Sequence, residues 1–155
     1  MRKNYLLQLG CVLSISIAVA NGAWAREIAQ PTPGLNQINL ALKNDPLNPK
    51  LHYKAALAYE SSSVAGTERR EVSKAAYAMA LKADATFWPA HVQLGLMALE
   101  DQDAGLAKQY LVDAARLSPS EPVIFYALAR AAYCDGDLGI ASAAYSRASQ
   151  LRAPE

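Results

Sequence analysis

The feature that most constrains this chain is an internal period of about 34 residues. Leu94-Gly95, Ala107, Leu111 and Ala114 recur one period later as Leu128-Ala129, Ala141, Tyr145 and Ala148. Counting one period back from Ala107, Leu111 and Ala114 gives Ser73, Tyr77 and Ala80. Small positions stay small and large positions stay large. A period of this length is the signature of a stacked array, in which each unit buries its apolar face only against its neighbours. The spacing inside a unit is helical. Ala107 and Ala114 lie seven apart on one face, with Leu111 between them. The small residues fall where two helices cross closely, and the large ones fill the gaps. Pro119 follows the second helix of its unit, where a proline stops it. Asp101-Gln102-Asp103 and Asp135-Gly136-Asp137 mark the turns between paired helices.

Composition agrees with packed helices. Hydrophobic residues make up 52% of the 155, and alanine alone supplies 31. A chain this apolar and this evenly charged is not disordered. Two cysteines are too few for a disulfide scaffold. A formal charge of +1 leaves no basic footprint for nucleic acid.

The N-terminal segment 1–25 reads as an address. Arg2 and Lys3 form a positive start, Leu6 to Ala20 is mostly apolar, and Ala23-Trp24-Ala25 gives a small-x-small ending. These are the three parts of a secretory signal peptide, with cleavage expected after Ala25. The alternatives are an uncleaved anchor, for which the apolar stretch is short, and a lipoprotein signal at Cys11, before which too little chain lies. Arg2 and Lys3 are the only charges removed, so 13 basic residues then face 14 acidic ones and the balance becomes −1. Cys134 would be the one remaining cysteine. It could form no internal disulfide and would act as a small buried apolar residue.

The repeating residues resemble the tetratricopeptide repeat (TPR) family. In residues 88–121, Leu94-Gly95, Ala107, Leu111, Ala114 and Pro119 fit its pattern, while His91 and Ala98 replace its aromatic positions. Residues 122–155 match at Phe125, Leu128, Ala129, Ala141, Tyr145 and Ala148. The unit from Pro49 carries His52, Ala55-Ala56, Tyr59, Ser73, Tyr77 and Ala80, and is five residues too long, with the excess in Ser61–Glu68. A tolerated surface-loop insertion accounts for that excess. The resemblance implies an all-α solenoid of about seven helices, stacked as antiparallel pairs in a right-handed superhelix. Helices are expected near 35–44, 49–62, 68–83, 88–101, 104–117, 122–134 and 138–151. The expected organisation is a signal peptide at 1–25, an extended arm at 26–33 and a TPR domain at 34–155. That domain divides into a half repeat at 34–48 and repeats at 49–87, 88–121 and 122–155.

The resemblance also implies a groove lined by the first helices. Lys50, Tyr53, Leu57 and Glu60 would line it in the first unit, Pro89, Val92, Leu96 and Leu99 in the second, and Val123, Tyr126, Arg130 and Tyr133 in the third. Apolar and aromatic surface of this kind marks a partner site, with Tyr and Arg as anchors. An extended or helical peptide is the expected ligand. The alternative is that the arm or neighbouring helices cover several of these residues. The positions that hold a peptide carboxylate in some relatives are Tyr53, Leu57, Gln93, Val123 and Ala127 here. None brings a cation or Asn, so an acidic chaperone tail is not the expected ligand.

His52 and His91 both stand where the family packs a Trp, so a half-buried structural role outweighs a metal role. No catalytic constellation, metal, cofactor or small-molecule substrate is expected. Glu68-Arg69-Arg70-Glu71 opens a helix and reads as a solvated face. At the C-terminal end, Ala144, Tyr145, Ala148 and Leu151 face where a further unit would stack. Tyr145 and Leu151 are therefore candidate edge contacts, to a partner or in weak self-association.

Together with the resemblance, these features predict a periplasmic, non-enzymatic adaptor that binds a protein segment; what exported members of the resembled family commonly do implies a role in assembly of a pilus, secretion apparatus or other envelope complex. The alternative is a structural or accessory subunit of an envelope enzyme complex that uses the ends of its stack. Any membrane contact would come through an uncleaved signal or a partner. Expression with export should yield a chain beginning at Arg26, measured by intact mass; retention of residues 1–25 in the exported protein would refute the cleavage.

Overall fold

The structure is a computed structural model, and it describes residues 34–61 and 66–152, apart from the side chains of Gly66 and Thr67. The signal segment, the arm, residues 62–65 of the Ser61–Glu68 insertion and residues 153–155 lie outside the described residues.

The described residues form seven helices: α1 (Leu35–Asn44), α2 (Pro49–Glu60), α3 (Gly66–Ala83), α4 (Trp88–Glu100), α5 (Ala104–Leu117), α6 (Pro122–Cys134) and α7 (Leu138–Arg152). The spacing predicts all seven. The two largest differences flank the insertion, where α2 ends at Glu60 rather than residue 62 and α3 starts at Gly66 rather than residue 68. Part of the extra sequence has thus extended a helix, and Glu68 lies in its first turn near the positive end of the dipole. Each helix packs on its neighbours in the chain, and α4 also touches α6. This is the contact pattern of a one-dimensional stack.

Local chemistry sets the helix boundaries, and it repeats with the period. The first helices α2, α4 and α6 each carry Pro at N1 or N2, where its missing N–H costs nothing. Asn48 caps α2 by accepting from the backbone N–H of Lys50 and Leu51. At the end of α4, Gln102 takes a left-handed φ of 63°, and at the end of α6, Gly136 takes 84°. The two positions stand one full period apart. In each turn the next residue, Asp103 or Asp137, donates its N–H to the carbonyl of Ala98 (2.9 Å) or Ala132 (2.8 Å). Gln102 and Gly136 donate theirs to Leu99 and Tyr133. This pair of bonds is a Schellman motif. The same aspartates cap the following helices, accepting from Leu106 N–H at 2.9 Å and Ile140 N–H at 3.0 Å. One residue thus ends one helix and starts the next, which makes the pair a tight antiparallel hairpin.

Packing at the crossings depends on small residues. A Cβ added at Gly95 would lie 2.8 Å from Leu111 Cγ and 3.3 Å from the Ala107 carbonyl. Those two partners occupy the period positions that Ser73/Tyr77 and Ala141/Tyr145 hold in the flanking units. Ser73, Ala107, Ala80, Ala114 and Ala148 are all wholly buried. Ser73 satisfies its hydroxyl against the carbonyls of Ala56 on α2 (3.2 Å) and Arg69 on its own helix (3.0 Å).

The two histidines also repeat one contact. His52 Nε2 meets the Pro46 carbonyl at 2.8 Å, and His91 Nε2 meets that of Ala85 at 3.0 Å. Both are half-buried, as expected of structural residues, and each ties a first helix to the turn before it. Cys134 is partly buried against the core of the last two units. In the full chain it is disulfide-bonded, whereas the expectation concerns the chain cleaved after Ala25. The sequence's other cysteine, Cys11, lies outside the described residues, and cleavage after Ala25 would remove it.

Gly95→Ala should destabilise the fold by about 1–3 kcal/mol, because Leu111 must leave a wholly buried site to admit one methyl group. Urea unfolding measures this, with Gly34→Ala as the control at a site where the added carbon meets nothing within 4 Å.

Candidate functional site

The structure sorts the expected groove residues into two groups. Tyr53, Val92, Leu96 and Leu99 are buried, at 2%, 0%, 6% and 6% exposure. Pro89 is buried with them. Residues 94–99 of α4 are all buried, so over that stretch the helix is covered on every side, while His91 and Gln93 are half-buried and Glu100 is exposed. Val92, Leu96 and Leu99 share a cluster with Leu111, Ile124, Ala127 and Ala131, so packing between units consumes them. The groove reading offers them as open anchors, and the structure instead places them in the core of the full chain. Tyr53 is likewise enclosed. Its ring meets Tyr77 at 5.4 Å and Phe87 edge-on at 5.6 Å, and its hydroxyl accepts from Gln93 Nε2 at 3.2 Å. Burial pushes its phenol up to about 12. Gln93, which stands at a carboxylate-clamp position, is engaged in that bond.

The second group retains access. Leu57, Val123, Tyr126 and Arg130 are half-buried, Tyr133 is 49% exposed, and Lys50 and Glu60 are exposed. The accessible part is therefore concentrated on α6. Its Arg130 guanidinium has a lowered pKa because burial disfavours the charge, with the Glu100 carboxylate opposing the shift. The group stays protonated regardless. Tyr126 serves two surfaces, since its ring packs edge-on at 5.7 Å against Tyr145 of α7. It borders both the groove and the end of the stack. Of the edge pair, Tyr145 is 59% exposed and Leu151 is half-buried.

Charged residues that the sequence reading treated as solvated surface also join the units. Arg70 bonds Glu100, Asp101 at 2.7 Å and the Met97 carbonyl at 2.6 Å, which clamps α3 to the end of α4. A cation there also complements the negative helix terminus. Lys74 reaches Asp101 at 3.5 Å, and one period further on Lys108 pairs with Asp135. Reading Lys74, Lys108 and the turn aspartates in one register could have found this ladder. Among the described residues no group of three or more His, Cys, Asp or Glu is placed to hold a metal ion. No described helix is long and apolar enough to cross a membrane.

Paired helices stacked in one repeating register, with small residues at each crossing, define a TPR-type solenoid. No protein-family model matches the chain. No curated protein does either. Solved structures match well. A crystal structure of MamA superposes with a TM-score of 0.64 at 13% identity, covering 76% of this chain and 66% of that one. A double mutant of MamA RS-1 gives 0.64 at 18% identity, over 76% and 64%. TTC0263, a thermophilic TPR protein of Thermus thermophilus, gives 0.63 at 22% identity, over 76% and 63%. This chain thus spans no more than 66% of the length of these proteins. At such identities the likeness is one of fold.

Glu60, at the end of α2, has a raised pKa. Partial desolvation of the carboxylate, on a residue whose surface is otherwise exposed, raises it, the Tyr77 hydroxyl works against this, and Glu100 adds to it. A carboxylate that binds its proton more tightly folded than unfolded makes stability fall as pH rises past its ordinary value of 4.5. Glu60→Gln should therefore stabilise at pH 7, by less than about 1 kcal/mol after solvent screening. Paired melting curves should show the gain vanish below pH 4.5.

Proposed function

We propose that this protein is a non-enzymatic adaptor of the bacterial periplasm, holding a protein segment in the groove beside α6 during assembly of an envelope complex such as a pilus or secretion apparatus. The observation that carries the reading is the survival of an aromatic and cationic surface at Tyr126, Arg130 and Tyr133 while Tyr53, Val92, Leu96 and Leu99 are packed away. Tyrosine and arginine on a rigid helix anchor a peptide at low entropic cost. An arginine at such a surface favours a ligand that brings an acceptor, a carboxylate or a chain of backbone carbonyls, over one that is wholly apolar. The TPR-type fold supports a protein-binding role because a stack of this kind presents an extended face and no enclosed cleft. The export signal in residues 1–25 supports the periplasmic setting, and the envelope-assembly role rests on what exported proteins of this fold commonly do.

Arg130→Ala with Tyr133→Ala should abolish capture of the partner from an envelope extract, identified by mass spectrometry, while leaving helicity intact. Unchanged capture would place the binding surface elsewhere. Tyr126 is left in place in this variant because it also supports Tyr145.

A further inference from the structure

The second helices of the stack can be compared residue by residue. Ile38, Tyr77 and Leu111 occupy one period position on α1, α3 and α5, and they are 1%, 0% and 0% exposed. Tyr145 occupies it on α7 and is 59% exposed. Its neighbours along the helix behave the same way. Leu138, Ser142, Ser149 and Arg152 are exposed, whereas the same positions on, or just past the end of, α3 and α5 are all at least partly covered. The five residues fall at i, i+4, i+7, i+11 and i+14, which is one continuous stripe of an α-helix. This is the stripe that the next first helix covers inside the stack.

The chain also shows what a covering element looks like. In the first unit the pair Tyr53–Tyr77, at 5.4 Å, lies beneath α4, which with the residue before it brings Phe87, Ala90, Leu94 and Met97 onto it. In the last unit the equivalent pair is Tyr126–Tyr145, at 5.7 Å. The same ring pairing is therefore built between α6 and α7, with Tyr145 59% exposed.

Charge selects the occupant. Inside the stack, cations at the start of the stripe (Arg70 and Lys74) grip carboxylates at the end of the incoming helix (Glu100 and Asp101). On α7 those cationic positions are Leu138 and Ser142, and the cation, Arg152, lies at the opposite end of the stripe, beside the incoming helix's first turn. Acidic residues in a first turn are also favoured by the helix dipole. Neither end helix of a second copy, α1 or α7, complements the face. α7 contains Arg147 and Arg152 and no carboxylate, and α1 at the other end of the stack carries Lys43 and none either.

We infer that the α6–α7 end face docks one amphipathic α-helix of another polypeptide, acidic in its first turn and carrying an apolar stripe of the form aromatic, small, large, large at i, i+3, i+7 and i+10. This is independent of the groove reading.

The test uses the full chain and two synthetic peptides, read by fluorescence anisotropy. One copies Phe87–Asp101. The other is the same peptide with Pro89→Glu, Glu100→Leu and Asp101→Ala, which moves its acid from the last turn to the first. The altered peptide should bind more tightly than the copy by about fivefold, the scale of one or two partly exposed ion pairs. Tyr145→Lys should weaken it by about tenfold or more, as removal of a central aromatic anchor does. Arg152→Glu should erase the preference between the peptides, and the Arg130→Ala, Tyr133→Ala variant should bind as the parent chain does. Ser149→Lys, on the same exposed stripe, repeats the block without touching the Tyr126–Tyr145 pair. Failure of both peptides to bind, equal affinity for the two, or indifference to both Tyr145→Lys and Ser149→Lys overturns the inference. Sedimentation showing a dimer that Tyr145→Lys dissolves overturns it in favour of a second copy.

Discussion

The rest of the structure depends on how closely two helices can approach at each crossing. Gly95 lets the backbone of α4 come within reach of Leu111 and the Ala107 carbonyl, so near that one added carbon has no room. Ala56 and Ala129 stand at the equivalent positions of the other units, and both are buried. Close approach turns a row of small residues into core, since dispersion contacts accumulate only where surfaces meet without gaps. It also explains why so much alanine can sustain a fold of few large side chains. The large residue of each crossing, Ile38, Tyr77 or Leu111, fills the space that the small ones leave.

That packing would specify nothing without the turns. The Asp101–Asp103 and Asp135–Asp137 segments end one helix and open the next through a single aspartate. They hold paired helices antiparallel at a constant offset, so each unit offers its neighbour the same surface. The ion ladder through Lys74–Asp101 and Lys108–Asp135 runs along this surface. Exposed pairs of this kind contribute little energy each. Their recurrence at one register position makes them markers of alignment between units.

The fold was legible to within two residues at nearly every boundary, because periodicity, prolines and turn residues all report on local backbone geometry. The candidate site was legible only in part. Val92, Leu96 and Leu99 stand at groove positions by count, yet they are buried, because burial depends on what lies across the helix rather than on position within it. Tyr126 reads as a groove residue in sequence and proves to be half of an aromatic pair with Tyr145 on the next helix. Arg70 reads as part of a solvated charge run and proves to be a clamp on the end of α4.

The sequence by itself determined the repeat, the seven helices, their turns and the small-residue crossings, because each follows from interactions within a few residues or from a fixed period. Only the tertiary structure decided which apolar residues remain accessible. Tyr77 and Tyr145 occupy the same place in the repeat and have the same chemistry. One is wholly buried and the other is 59% exposed. The difference is the presence of α4 over one of them, and exposure is a property of that neighbour rather than of the residue.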